Sequence, residues 1–339
     1  QWYLKYGEKE WKASVGAHLE STLECYNPAV KKLFRETLEW LSDWACSRSF
    51  GLGTRLPWDP QFLIESLSDS TIYMAFYSVA HLLQGATPTE DVINGKAAGP
   101  AGVKPEQCTS AFWDYILLGK PYDGSVGVAE GTMKKLRTEF AFWYPVDLRV
   151  SGKDLIGNHL TMSLYNHAAV WKDDPSMWPQ SFYCNGHVMV DAEKMSKSKG
   201  NFITLPGAIG EWGADATRFT CADAGDGTEN ANFDREVCNK AILNFTTELE
   251  TLASTLSGKG KEMKLRASGA AGVWLDGWFE NEIGRLAAAT AAAYKAMKYK
   301  EAVKYGWYGM QEARNRYRTG TASVGVLEAL YRKWAEAQA

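Results

Sequence analysis

Several signatures that would classify a protein at once are missing from these 339 residues. The six cysteines never form a C-x-x-C pair, so neither a zinc ribbon nor a disulfide framework is expected. No apolar run reaches the roughly 20 residues needed to cross a bilayer, and no signal-peptide pattern opens the chain. The G-x-x-x-x-G-K-S/T phosphate loop is absent as well. These absences predict a protein of the reducing cytoplasm, without membrane segments or bound zinc.

The composition that remains is ordinary for a packed protein. An apolar share of 45% with 23% charged residues argues against disorder, and the length fits two or three domains. A net charge of −3 argues against a general polyanion binder, although one domain could still carry a basic face. The chain begins with Gln1 rather than methionine, so we expect that an N-terminal portion is absent or was removed.

Hydrophobic spacing predicts a mainly helical first part. We expect one or two helices within residues 1–44 and a helical segment from Phe62 to Leu83, entered by Asp69 and Ser70. Residues 85–105 are rich in Gly, Ala, Pro and Thr, which indicates a flexible surface insertion. Two further helices are expected, at Thr109–Leu118 and Glu130–Ala141.

The middle of the chain alternates strand and helix patterns. A strand is expected over 142–150, then a turn at Ser151-Gly152, a helix from 155 to 171 and a second strand over 182–190. This alternation is typical of a nucleotide-binding α/β unit with a parallel sheet. After about Asn230 only helical patterns continue. We therefore expect an α/β domain over 45–229 and an all-α domain over 230–339.

The string EKMSKSKGN at 193–201 needs an explanation. Most Lys/Ser-rich loops are solvated basic turns. Here, however, the five letters KMSKS form a fixed motif, expected by chance in about one chain of this size in ten thousand. Lysines on a loop of small residues can close over a triphosphate and neutralise charge that develops during nucleotidyl transfer.

KMSKS is the signature of class I aminoacyl-tRNA synthetases. The strings WACSRSFGLGTRLPWD at 44–59, LIESLSDSTIYMAFY at 63–77, FWYPVDLRVSGKDLIGNHL at 142–160 and ADAGD at 222–226 resemble leucyl-tRNA synthetases of the eukaryotic and archaeal type, as does QWYLKYGE at 1–8. The resemblance implies the second half of a Rossmann-like catalytic domain followed by part of a helical anticodon-binding-type domain, with 1–44 returning from an absent editing or insertion region. It also implies leucine, MgATP and tRNA(Leu) as substrates.

The same resemblance assigns roles around ATP. Lys194 and Lys197 are the implied catalytic contacts to the triphosphate, and Ser196 and Ser198 lie beside them. The turn residues Gly152 and Asp154 are implied to hold the ribose, although an acid in a first helical turn is also ordinary structure. A lone histidine is more often structural, but the resemblance moves His159 towards the adenylate pocket.

Two more groups follow from the resemblance. Leu67, Ser70 and Tyr73 are implied to line the leucine side-chain pocket, whereas the pattern alone favours a capped helix with Tyr73 in the core. Contacts to the tRNA backbone, without reading of anticodon bases, are implied for the basic residues of the C-terminal helices, Lys304, Arg314, Arg316 and Arg318. Such charges otherwise merely solvate a helix.

One departure from the family is clear. The second class I signature, H-I-G-H or a variant, does not occur in this sequence. We therefore expect that the chain alone cannot complete aminoacyl transfer and works with a missing N-terminal half or within a multi-protein assembly. Two alternatives stay open. One is a valine or isoleucine enzyme, which is disfavoured because the Q-R-x-W-G continuation is absent; the other is a non-catalytic, synthetase-derived binding or scaffold module.

Overall fold

The computed structural model describes residues 1–196, 198–259, 263–267 and 269–338. Contacts between Cα atoms divide the chain into two units, Gln1–Cys184 and Asn185–Ala339. All six cysteines lie in the described part and are free thiols. Among the helices of those described ranges, none is both long enough and apolar enough to cross a membrane.

The first unit is mainly helical, with short strands between the helices. Its elements in chain order are β1 (Tyr3–Lys5), α1 (Lys9–Ser21), α2 (Pro28–Trp40), β2 (Asp43–Ala45), β3 (Ser47–Arg48), β4 (Arg55–Leu56), β5 (Asp59–Ile64), α3 (Ser66–Asp69), α4 (Tyr73–Leu83), α5 (Glu90–Ile93), α6 (Ser110–Leu118), α7 (Glu130–Trp143), β6 (Arg149–Gly152), α8 (Thr161–Val170) and β7 (Phe182–Asn185). Turns of 3-10 helix cover Ser70–Ile72, Pro105–Gln107, Lys153–Leu155 and Pro175–Met177, and a π-helical turn covers Ile156–Leu160.

The second unit opens with a hairpin and continues with long helices. Its elements are β8 (Val188–Val190), β9 (Glu193–Lys194), α9 (Leu205–Ala224), β10 (Ala231–Phe233), α10 (Arg235–Leu256), β11 (Leu265–Arg266), α11 (Trp274–Lys295), α12 (Tyr299–Val303), α13 (Met310–Gly320), β12 (Val326–Leu327) and α14 (Glu328–Gln338), with a π-helical segment at Lys304–Gly309.

The sheets in the described part of the chain have only two or three strands. In the first unit β1 pairs with β2, β5 lies between β3 and β4, and β6 pairs with β7. In the second unit β8 lies between the parallel strand β10 and the antiparallel strand β9. The strand β11 pairs in parallel with β12. The expected parallel sheet is therefore present only as short pairs.

Local signals explain where the helices begin. For α2, the Asn27 side chain accepts a hydrogen bond from the backbone of Ala29 and Pro28 occupies the first turn. The residues Val30, Phe34 and Leu38 recur every four positions and are buried. Phe34 stacks on Phe182 of β7, with ring centroids 5.8 Å apart. The expected helices at 1–44, 109–118 and 130–141 are all present.

Three expectations from the pattern were wrong. Phe142 and Trp143 are not in a strand but end α7, because the buried helical face through Met133, Leu136 and Phe140 continues until Tyr144, where Pro145 disfavours further helix. Phe62 lies in β5, and helix begins only at Ser66.

The third wrong expectation is that only helices follow Asn230. The strand β10 follows it and pairs with β8, with Asn232 opposite Met189. Within 85–105 the structure has the short helix α5, whose first turn is capped by Thr89. The functional partition into 1–44, 45–229 and 230–339 stays a prediction.

The helical part of the second unit packs around aromatic side chains, with an ion pair of low exposure beside them. Phe279 stacks on Tyr317 with centroids 4.3 Å apart, and both are fully buried. Beside them the Arg266 guanidinium donates to Asp276 at 2.6 Å, and the Tyr317 hydroxyl donates to the same carboxylate oxygen at 2.5 Å. Burial alone would raise the pKa of Asp276, but these hydrogen bonds outweigh it and lower the pKa.

We expect Asp276→Asn to destabilise the second unit by about 3 kcal/mol, because it leaves the buried Arg266 without its counter-charge. Urea unfolding followed by tryptophan fluorescence measures this change. The matched control is Glu328→Gln, which removes a more exposed pair with Arg332 and should cost less than about 1 kcal/mol. Equal losses in the two variants would contradict the structural role of Asp276.

Candidate active site

The strand β6 ends in a tight turn that brings a carboxylate to its carboxyl end. Gly152 closes the strand, and Asp154 lies in the 3-10 turn that follows. A Cβ atom on Gly152 would lie 2.6 Å from Asp154 Oδ1, so only glycine allows the carboxylate this position. Asp154 is exposed. The geometry thus offers an accessible carboxylate at the end of a strand, next to a helix start.

His159 follows in the π-helical turn and is buried, with 3% of its surface exposed. Its Nε2 lies 3.1 Å from the carbonyl oxygen of Ser70, so Nε2–H is the donor and Nδ1 carries the lone pair. Within the described residues, that buried Nδ1 has no hydrogen-bond partner. Burial lowers the pKa of His159, and the positive charge of Arg149 acts in the same direction. His159 is therefore neutral at physiological pH.

The segment from Leu67 to Tyr73 meets His159 directly. The Ser70 hydroxyl donates to the carbonyl of Leu67 at 3.1 Å, and both residues are half-buried. The ring of Tyr73 stacks on His159 with centroids 5.7 Å apart. The structure thus brings His159 to Ser70 and Tyr73, two of the three residues expected to form a leucine pocket, an association that their separation in sequence did not indicate.

Buried polar side chains hold this segment in place. His167 is fully buried, and its Nε2–H donates to the carbonyl of Thr71 at 3.0 Å. Its Nδ1 accepts a hydrogen bond from the Tyr144 hydroxyl. The Asn166 amide donates to the Thr71 hydroxyl at 2.8 Å. The backbone of the expected pocket is therefore fixed from α8 as well as from His159.

At the start of the segment, Glu65 is 2% exposed and caps α3 by accepting from the backbone of Ser68 at 2.9 Å. Arg48 donates to the same carboxylate group at 3.2 Å. Burial alone would raise the pKa of Glu65, but the hydrogen bonds from Ser68, Leu67 and Arg48 lower it. An ionised carboxylate thus orients the first turn of this segment.

In the second unit the lysine motif lies on a hairpin. The turn between β8 and β9 places Asp191 and Ala192 at φ +51° and +64°, the left-handed geometry of a two-residue hairpin turn. Ala192 N–H donates to the Asn232 side chain at 2.6 Å, which ties the turn to β10. Lys194, the last residue of β9, is exposed to solvent.

The loop after β9 is closed by Asn201, a residue that the motif did not single out. The Asn201 side chain accepts from the backbone of Ser196 at 2.8 Å and donates to the carbonyl of Lys194 at 3.2 Å. The hydroxyls of Ser196 and Ser198 lie 2.7 Å apart. Lys199 pairs with Glu193 at 3.1 Å. Lys197, the second expected catalytic lysine, lies outside the described residues.

The four basic residues expected to contact tRNA differ in exposure. Lys304, Arg316 and Arg318 are exposed, and the first two line a groove of about 360 Å³ beside Trp278 and Tyr308. Arg316 also pairs with Glu312 at 3.1 Å. Arg314 is instead half-buried: it forms an ion pair with Glu248 and packs over the Trp334 ring at 4.8 Å. These contacts give Arg314 a structural role, and its contact with tRNA stays a prediction.

The described ranges hold no group of three or more His, Cys, Asp or Glu side chains that could bind a metal ion.

Comparison with known proteins supplies the context for this geometry. A family model described as tRNA synthetases class I (C) catalytic domain matches residues 134–243. The cytoplasmic leucine–tRNA ligase of Dictyostelium discoideum is 46% identical over 323 residues, which are 95% of this chain and 29% of that protein. The cytoplasmic leucine–tRNA ligase of Arabidopsis thaliana is 43% identical over 338 residues, 100% of this chain and 30% of that protein. This chain is homologous to a segment of the leucine–tRNA ligases.

The chain spans about 30% of the length of these curated relatives. Among solved structures, Mycobacterium tuberculosis methionyl-tRNA synthetase in complex with methionyl-adenylate is similar, with a TM-score of 0.59 and 14% identity, over 94% of this chain and 52% of that one. This likeness concerns the fold alone. The expected fold class, a Rossmann-like class I catalytic fold followed by helices, is confirmed, and so is the resemblance to leucine–tRNA ligases.

We expect the stability of the first unit to fall as the pH drops from about 6.5 towards 4. Burial lowers the pKa of His167 to about 4, whereas it is about 6.5 in the unfolded chain. The unfolded chain therefore binds the proton first, and stability that is complete above pH 6.5 is lost by about 3 kcal/mol once the pH falls below 4. Urea unfolding at pH 7, 5.5 and 4 measures this loss.

Two variants separate His167 from other titrating groups. His167→Gln keeps a donor for the Thr71 carbonyl but cannot titrate, so most of the pH dependence should disappear. His81→Gln alters a half-exposed histidine and should leave the pH dependence in place. A His167→Gln protein whose stability changes with pH as the wild type's does would contradict the assignment.

Proposed function

We propose that this chain carries the leucine-contacting and phosphate-contacting part of an active site that activates leucine with MgATP and then transfers it to tRNA(Leu). In the first step a carboxylate oxygen of leucine attacks the α-phosphorus of ATP, the bond to the β-phosphate breaks, and pyrophosphate leaves. The observation that carries the proposal is the meeting of Ser70, Tyr73 and His159 within the unit that also presents Asp154 at the end of β6. The names of the relatives support leucine as the amino acid.

The leucine side chain would lie against Leu67, Ser70 and the ring of Tyr73. His159 packs against Tyr73 beside this pocket, and its unprotonated Nδ1 would accept a hydrogen bond from a donor of the bound adenylate. A pocket of this kind selects mainly by shape, since one methylene changes binding by about 1–3 kcal/mol. The polar network behind Thr71 keeps that shape fixed.

We propose nucleotide contacts in each unit: the turn after β6 in the first and the lysine motif in the second. Asp154 would accept hydrogen bonds from ribose hydroxyls, and a Cβ at Gly152 would crowd the Asp154 carboxylate. Lys194 and Lys197, with the hydroxyls of Ser196 and Ser198, would contact the triphosphate and stabilise the charge that develops on it. Mg²⁺ enters this reaction bound to ATP, as part of the substrate.

The tRNA would contact the exposed basic residues of the second unit. Lys304, Arg316 and Arg318 are accessible, and contacts from such side chains to the phosphate backbone need no reading of anticodon bases. The relatives' names include the word cytoplasmic, and we propose the same location for this protein.

A complementary part is expected to supply the remainder of the active site, as a connected segment, a separate subunit or a member of a larger assembly. The expected result is no leucine-dependent ATP–pyrophosphate exchange by the 339-residue chain alone, because its sequence contains no H-I-G-H string. Exchange should appear when the chain replaces the matching segment of the Saccharomyces cerevisiae relative, which is 42% identical over 339 residues. Exchange by the chain alone would refute the need for a complement.

If the hybrid folds but shows no exchange, while the parental yeast protein does, the catalytic proposal fails and a binding or scaffold role is favoured. Circular dichroism and thermal unfolding establish whether the hybrid folds.

In the active hybrid, Lys194→Ala and Lys197→Ala should each lower the rate of exchange at saturating substrate by about 30- to 1,000-fold, which corresponds to about 2–4 kcal/mol of transition-state stabilisation. Steady-state exchange kinetics separate this effect on rate from an effect on KM. Lys240→Ala, an exposed lysine of α10, is the matched control and should leave the rate unchanged. A loss confined to the KM for ATP would count against the electrostatic role.

A further inference from the structure

The ring of Tyr73 is held by more than the expected pocket residues. It stacks on His159, with an angle of 26° between the ring planes. The guanidinium of Arg149 packs over the same ring, with its central carbon 4.8 Å from the ring centroid. Three elements, α4, β6 and the π-helical turn, therefore meet at one aromatic side chain.

Within the described ranges of the chain, the Arg149 guanidinium is not paired with a carboxylate. Its buried Nε has no hydrogen-bond partner there either. Burial lowers the pKa of Arg149. A partly desolvated cation of this kind is unfavourable unless something compensates it, and the face of an aromatic ring can do so. The ring of Tyr73 is the compensating group that the structure provides.

His159 cannot move away from this ring freely. Its Nε2–H donates a hydrogen bond to the carbonyl of Ser70. Ser70 lies three residues before Tyr73 on the same continuous helical segment. The imidazole is thus fixed to the backbone that carries Tyr73. Arg149 is fixed in a different way, because its backbone N–H donates to the carbonyl of Ser181 at 3.0 Å within the β6–β7 region. The ring is therefore restrained from two separately anchored elements.

We propose that Arg149 is a positioning residue: its guanidinium holds the Tyr73 ring against His159 and thereby sets the shape of the leucine pocket. We call Tyr73, Arg149 and His159 the Tyr73 clamp. This inference rests on the proposed function, because it assigns the clamp to amino-acid selection. Selection by shape requires a rigid pocket wall, because a ring that can rotate admits side chains of other shapes with little loss of binding free energy.

The first experiment tests the clamp in the 339-residue chain itself. Tyr73 is labelled as 3-fluorotyrosine and its fluorine resonance is recorded in the wild type, Arg149→Met and Arg149→Lys. Methionine keeps an unbranched, polarisable stem but removes the cation, so the resonance should shift and its line shape change as the ring gains motion. Lysine keeps the cation and should restore most of the wild-type signal. An Arg149→Met spectrum identical to the wild type would overturn the clamp.

The second experiment tests amino-acid selection in the active yeast hybrid. Arg149→Met should raise the KM for leucine about tenfold and lower the preference for leucine over methionine by a similar factor, with the KM for ATP unchanged. Arg149→Lys should recover most of both. The preference is a ratio measured on the same preparation, so a partly unfolded sample does not change it. Arg35→Met, which removes an exposed arginine paired with Glu20, is the matched control.

The outcomes distinguish the two levels of inference. A folded wild-type hybrid without leucine-dependent exchange defeats the proposed function, while the fluorine spectra still decide whether Arg149 restrains the ring. Exchange with unchanged leucine KM and unchanged preference in Arg149→Met defeats the positioning role and leaves the proposed function standing.

Discussion

The candidate site depends on two hydrogen bonds from neutral histidines to successive backbone carbonyls. His159 donates to Ser70 and His167 donates to Thr71, where α3, a 3-10 turn and α4 follow one another within eight residues. The Ser70 carbonyl already accepts from the backbone N–H of Tyr73, so the His159 N–H is a second donor, to the remaining lone pair of that oxygen. Histidine supplies a donor without a permanent charge, and burial keeps both rings neutral. The position of Tyr73 follows from these bonds.

The two units hold their functional groups in different ways. In the first unit the pocket residues are half-buried and backed by a polar network, which suits recognition by shape. In the second unit Asn201 joins Ser196 to Lys194 at the base of the motif loop, and the side chain of Lys194 is exposed to solvent. A cation that must meet phosphate is better kept hydrated until the ligand arrives, because a desolvated ammonium without a partner is costly. The contrast between a rigid wall and an exposed lysine is therefore chemically consistent.

Sequence patterns predicted what is local and missed what depends on packing. The KMSKS string, the turn at Gly152–Asp154 and most helices could be identified because a motif or a helical period lies within a few residues. The predicted end of α7 was wrong, because Phe142 and Trp143 are residue types common in strands. The buried face through Phe140 instead continues the helix to Trp143. The contact of His159 with Ser70 joins residues 89 positions apart, which no local signal reveals. Asn201 was overlooked although it lies three residues beyond the KMSKS motif, because its role is a side-chain hydrogen bond to backbone groups five and seven residues earlier.

Two half-buried arginines show why residue type alone does not define a role. Arg314 was grouped with the exposed cations, yet it is paired with Glu248 and packed over Trp334, on the same face of α13 as the buried Met310 and Tyr317. Both a carboxylate and an aromatic ring compensate its charge, so stability accounts for its position. Arg149 packs over the ring of Tyr73 and, among the residues that the structure describes, has no carboxylate partner. An apolar side chain would fill the same space without the desolvation cost. A gain in stability therefore explains the position of Arg314 but not that of Arg149. A requirement to fix the Tyr73 ring explains the position of Arg149.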